Sequence, residues 1–126
     1  MGFLDRYASQ ILGITRIMAG LLFLAHGTAK MFNFPAREGW EGYNPMSLSG
    51  AAGAIEVIGG SLIILGFYSR FAAFVASGTM AFAYFIAHAP QNFFPLLNRG
   101  DAAILFCFLF LYIAAAGPGA FSINKK

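Results

Sequence analysis

The sequence predicts an all-α membrane protein folded as a four-transmembrane-helix bundle, and three observations lead there. The chain of 126 residues is 59% hydrophobic and only 10% charged, whereas charged residues make up about a quarter of an ordinary soluble domain. Four apolar runs follow one another at 9–31, 47–67, 71–88 and 101–116, with almost no polar face between them. Each approaches the roughly 17 to 25 residues a helix needs to cross about 30 Å of hydrocarbon, the fourth at the short end. The length allows one membrane domain over residues 1–126,. The net charge of +3 is modest and its basic residues are scattered, so nucleic acid is not an expected partner and the lipid bilayer is.

The first span carries Arg16, His26 and Lys30 in RIMAGLLFLAHGTAK. An ionisable side chain in hydrocarbon costs roughly 2.5 to 3.5 kcal/mol on insertion scales, so it must find a partner or reach water. At about 100° per residue, His26 and Lys30 stand one turn apart on one face, and Arg16 lies about 40° round from Lys30 and roughly 21 Å lower. The stripe should face protein. A cleaved signal peptide is not expected, because Asp5 sits beside Arg6, Arg16 interrupts the apolar core and no small-x-small site follows,.

The link from Phe32 to Met46 brings Phe34, Trp40 and Tyr43 beside Arg37, Glu38 and Glu41. That mixture fits a segment lying in the headgroup zone. The second span holds Glu56 within AAGAIEVIGG, on a stripe with Ala52 and Gly60 and next to Gly53. Small residues at that spacing let helices approach closely, so Glu56 points into the bundle. A tight turn at Tyr68-Ser69-Arg70 leads to the third span, which ends at His88. The link from Ala89 to Gly100 contains two prolines, Gln91, Asn92, Asn98 and Arg99, and Asp101 opens the fourth span.

Arg6, Arg16, Arg70, Lys125 and Lys126 fall on one side of this topology, and Lys30, Arg37 and Arg99 on the other. The positive-inside rule then places both termini in the cytoplasm. The second span descends from the outer surface and sets Glu56 roughly 9 Å below it. Arg16 and Glu56 are the candidate intramembrane ion pair. His26 and Lys30, at a similar height to Glu56, are geometrically natural partners for it as well, and Arg16 has the alternative of snorkelling to the cytoplasm.

His26, Lys30, Glu56, His88, Asn98, Arg99 and Asp101 all approach the outer mouth of one bundle. They are the candidate lining of a polar pocket in the outer leaflet, roofed by the long first link. Plainer readings stand beside this one: Lys30, Arg99 and Asp101 as interface residues, His88 as a helix-end residue, and the Glu56 pair as a pin for helix register. No ligand spacing resembles a metal motif. Cys107 is the single cysteine, so the chain has no dithiol redox centre and the thiol is expected to pack as a small hydrophobe. The 15 phenylalanines are expected to face lipid before they form any quinone cage.

Arg16, HGTAK at His26 to Lys30, Glu56-Val57-Ile58-Gly59-Gly60 with Leu65-Gly66 behind it, Tyr68-Ser69-Arg70, Asn98, and Gly117-Pro118-Gly119-Ala120-Phe121-Ser122 occur in that order. In these elements the chain resembles the DoxX family of small bacterial integral membrane proteins. Family members often end the last motif with an aspartate where this chain has Asn124; if that acid pairs with a base in the family, the pairing is weakened or absent here. The resemblance implies a four-helix bundle in the bacterial inner membrane. It further implies association with other membrane or redox proteins in quinone-linked, oxidative-stress or sulfur-compound systems. Quinone is then the cofactor to consider, with Lys30 or His26 on a carbonyl oxygen and Glu56 setting their charge. The competing expectation is a non-catalytic scaffold or assembly factor for another membrane protein. A transporter is disfavoured by four spans without a visible repeat, unless the chain forms a homo-oligomer.

Overall fold

The computed structural model describes residues 2–34 and 47–126. Among these the secondary structure is entirely helical. A short α1 (Gly2–Asp5) precedes α2 (Ala8–Phe32), followed by α3 (Leu48–Leu65), α4 (Ser69–Ala83), a π-turn (Tyr84–His88) continuing α4, a short α5 (Pro95–Asn98) and α6 (Asp101–Ala116). Among the described residues three helices are long and apolar enough to cross a membrane: Ala8–Phe32, Leu48–Leu65 and Ser69–His88. The fourth, α6, is apolar but has 16 residues, or about 24 Å of rise. The headgroup segment expected around Trp40 and Tyr43 lies outside the described residues.

Local chemistry explains the boundaries. Ser47 is extended and its hydroxyl accepts the Gly50 N–H at 3.0 Å, capping α3,. Gly66 ends that helix in the left-handed region (φ 69°), and Phe67 N–H reaches back to Leu62 O at 3.0 Å, the pairing of a Schellman cap. The π-turn was not legible in the periodicity. Ala89 N–H bonds Tyr84 O, five residues back, at 2.8 Å. Pro90 follows, and its ring in a regular helix would meet the Ile86 carbonyl; the wider turn relieves that clash.

Helices α2 and α3 pack backbone to backbone through glycine. A Cβ on Gly27 would lie 2.8 Å from Val57 N and 2.9 Å from Glu56 Cβ, and one on Gly60 3.0 Å from Leu24 N. Gly27→Ala therefore forces the helices apart at Glu56. The expected cost is about 1–3 kcal/mol, read as a lower unfolding midpoint in a denaturing-detergent titration. Helices α4 and α6 form a second pair, in which Ser77 Oγ donates to Cys107 O at 2.7 Å. Cys107 is a free thiol and packs against the apolar core, as expected for a small hydrophobe.

The two pairs meet around Phe23, Ile63, Ala73, Ala76, Phe110 and Ile113, all fully buried. Phe23 packs edge-on to Phe110 with centroids 4.9 Å apart, and Phe106 stacks on Phe110 at 5.5 Å. Other phenylalanines, including Phe71, Phe74, Phe85 and Phe108, are exposed on the outside, the face that lipid covers. After α6 the chain returns across the opposite end of the bundle from Lys30. Ala120 N–H bonds Ser9 O at 2.9 Å, Ile123 N–H bonds Leu65 O at 3.2 Å, and Arg70 N–H bonds Lys126 O at 3.1 Å. The amide of Asn124 helps to start α4. Its Oδ1 accepts the Tyr68 N–H at 3.0 Å, where Tyr68 precedes the helix in a left-handed conformation (φ 50°).

Candidate functional site

The C-terminal end of α2, the start of α3, the end of α4 with its π-turn and the start of α6 line an open-sided cavity of about 820 Å³. Five of the seven residues expected at the mouth lie on its wall: His26, Lys30, Glu56, His88 and Arg99. The rest of the wall is mainly apolar, with Ala52, Ile55, Phe82, Ile86 and Phe106 among its members.

Glu56 is fully buried and its Oε1 accepts a hydrogen bond from Lys30 Nζ in a salt bridge. The bridge spans α2 and α3 because Gly27 and Gly53 hold those helices close on either side of it: a Cβ on Gly53 would lie 3.2 Å from Lys30 Cβ. Glu56 Oε2 has no hydrogen-bond partner among the described residues. The Lys30 side chain keeps 22% of its surface exposed.

Each histidine commits one ring nitrogen to a backbone carbonyl. His26 Nδ1 donates to Leu22 O at 2.8 Å, and His88 Nδ1 donates to Asn98 O at 3.0 Å. An acceptor at Nδ1 places the proton there, which leaves Nε2 as the lone-pair nitrogen of a neutral ring. Phe106 packs edge-on against His26 with centroids 5.7 Å apart. Arg99 is held in the left-handed region (φ 62°) between α5 and α6. Such a conformation in a non-glycine residue persists only where neighbours over-determine it.

That neighbour is Asn98, which does not reach the cavity. It is fully buried behind the wall, where its Nδ2 donates to Tyr84 Oη at 3.1 Å and to Asn92 O at 2.9 Å, and its Oδ1 accepts the Gly100 N–H at 2.8 Å. Asn98 thus ties the α4–α6 link to the π-turn and sets the positions of His88 and Arg99. Asp101 also falls outside the cavity: it is exposed in the first turn of α6, where a carboxylate favours the positive end of the helix dipole. Tyr84 and Phe106 were not anticipated. An aromatic ring inside an apolar run carries no sign in sequence of whether it meets lipid or a polar neighbour.

The structure gives Arg16 and Glu56 different partners, correcting the ion pair drawn between them. Arg16 is fully buried. Its Nε donates to Ile63 O at 2.8 Å, Nη1 to Pro118 O and to Ala120 O at 3.0 Å, and Nη2 to Phe121 O at 2.8 Å and Ile64 O at 3.5 Å. All five guanidinium donors are used. Ile63 and Ile64 belong to the last turn of α3, where Ile63 O also accepts the Gly66 N–H at 3.2 Å and carbonyls have spare acceptor capacity. Glu56 lies about 10 Å further up that helix by rise, at the level of Lys30. Carbonyls of the returning chain reached Arg16 where no carboxylate did.

Among the described residues no group of three or more histidine, cysteine or carboxylate side chains is placed to hold a metal ion. For a quinone the fit is better. The cavity volume is within the roughly 300–1,000 Å³ of small-molecule sites, and such sites pair apolar walls with a few convergent polar groups, as His26, Lys30, Glu56, His88 and Arg99 do here.

No solved structure matches the chain. An uncharacterized protein of Haemophilus influenzae is 41% identical over 132 aligned positions, which cover 100% of this chain and 97% of that protein. The DoxX family model matches residues 11–89, a span that contains Arg16, His26, Lys30, Glu56 and His88 and ends before Asn98, Arg99 and Asp101. With its apolar helices of membrane-spanning length, this chain is an integral membrane protein and belongs to the DoxX family.

Proposed function

We propose that the protein is the ligand-holding subunit of a membrane redox system, in which the cavity between α2, α3, α4 and α6 receives an amphipathic small molecule of the quinone class. The observation that carries this reading is the concentration of five ionisable side chains on the wall of one apolar cavity. In hydrocarbon such groups are costly and tend to mark ligand or proton pathways. We place all four long helices across the bacterial cytoplasmic membrane, with both termini in the cytoplasm and the cavity in the outer leaflet.

A bound quinone supplies two-electron, two-proton chemistry that a chain with one isolated thiol does not have. The protein's own residues then bind and orient. Lys30 and Glu56 form a donor–acceptor pair at the α2–α3 wall. His26 and His88, each anchored through Nδ1, present Nε2 as an acceptor when neutral and as a donor when protonated. Arg99 adds a permanent positive charge at the mouth. The apolar remainder excludes water and receives the tail.

Native mass spectrometry on protein gently extracted from its own membrane tests this. The expected result is a bound quinone-class mass near one per chain, lost in Ala52→Phe, whose ring occupies the cavity one turn from Glu56 while the thermal midpoint stays within a few degrees. A bare chain, or a bound mass indifferent to Ala52→Phe, overturns the reading. A second membrane protein retained by a bare chain would favour a scaffold.

A further inference from the structure

We infer that the cavity selects a head group that carries a hydroxyl donor, so that within the quinone class it takes the reduced, quinol form in preference to the quinone. The inference rests on the reading that the cavity holds an amphiphile, and it concerns one atom. Glu56 belongs to the cavity wall, is fully buried, and commits Oε1 to Lys30. Its Oε2 is covered and has no partner among the described residues.

A carboxylate oxygen accepts hydrogen bonds and donates none. The partner it lacks is therefore an O–H or N–H. A quinone offers only carbonyl oxygens, which meet a carboxylate oxygen as acceptor against acceptor. A quinol, phenol or alcohol offers the donor. The terminal torsion of a glutamate swings broadly at little cost and the Lys30 ammonium follows Oε1 on a flexible stem, so a turn of the carboxylate brings the covered Oε2 to a hydroxyl at the wall without moving α3. Lys30 does not reverse the preference, because a hydroxyl oxygen also accepts from its ammonium, and the neutral histidine Nε2 atoms, as acceptors, favour the same hydroxyl.

The test uses the full chain in lipid nanodiscs and two matched pairs of probes. One pair is a decyl-tailed benzoquinol and its quinone, titrated anaerobically. The other is 4-nonylphenol and its methyl ether, which differ in the donor but undergo no redox change. One hydrogen bond to a charged acceptor corresponds to roughly tenfold or more in affinity. The quinol and the phenol are expected to bind at least that much tighter than their partners. Glu56→Gln, whose amide both accepts and donates, is expected to bring both ratios to within about threefold by tightening the quinone and the methyl ether.

Equal affinities within each pair overturn the donor requirement and leave the cavity reading standing. Discrimination in the phenol pair with no binding of quinol or quinone upholds the donor requirement and removes the quinone assignment. Binding of none of the four removes both. Unchanged ratios in Glu56→Gln assign the selectivity to another residue and overturn the role given to Glu56.

Discussion

Lys30→Met is expected to be among the most destabilising single substitutions in the chain, by about 3–5 kcal/mol. It removes the cation from a fully buried carboxylate, and breaking such a pair from one side leaves a charge without solvent or counter-charge. The reciprocal change, Glu56→Leu, removes the carboxylate from a lysine whose side chain retains 22% exposure, so it should cost less. The double variant Lys30→Met/Glu56→Leu is expected to recover most of the loss, because replacing both partners by apolar groups of similar volume is often neutral or stabilising. The coupling between the two changes, rather than either loss alone, isolates the pair. Unfolding midpoints of the four proteins in a denaturing-detergent titration measure it. A double variant no more stable than Lys30→Met would show that the lysine acts through other contacts.

The asymmetry between Lys30 and Arg16 also explains what the sequence could reveal. Helical periodicity put His26 and Lys30 on one face, and the small residues around Glu56 turned that carboxylate inward. Both inferences use only local geometry, and in the structure His26, Lys30 and Glu56 share one cavity wall. Arg16 was assigned a carboxylate because side-chain charges are visible in sequence and backbone carbonyls are not. Its actual partners come from the last turn of α3 and from residues 118–121, a hundred positions away. Asn98 and Asp101 show a similar limit. Proximity to a span end placed both at the mouth, but only the left-handed turn at Arg99 decided that Asn98 would turn inward and Asp101 outward. The fourth apolar run coincides with the helix α6, and its 16 residues are short for the hydrocarbon they are proposed to cross.

Removing residues 118–126 is expected to destabilise the bundle by about 3–5 kcal/mol through Arg16. The truncated chain loses the Pro118, Ala120 and Phe121 carbonyls and keeps a fully buried guanidinium with Ile63 and Ile64 alone. A buried cation stripped of most of its acceptors carries the penalty of an unpaired charge. Arg16→Met in the full chain reverses the problem. The charge is gone, but carbonyls of α3 and of the returning segment lose their donors, at about 1–3 kcal/mol for each that stays dry. Arg16→Lys should fall between, since an ammonium has three donors where the guanidinium uses five in a fixed plane. The decisive comparison is the truncation made on the Arg16→Met background. There it no longer exposes a buried charge, so its cost should shrink to the packing that the segment contributes by itself. Additive losses would mean that Arg16 and the C-terminal segment stabilise the fold independently. Strong non-additivity would identify Arg16 as the anchor for residues 118–121, in a role that needs no carboxylate.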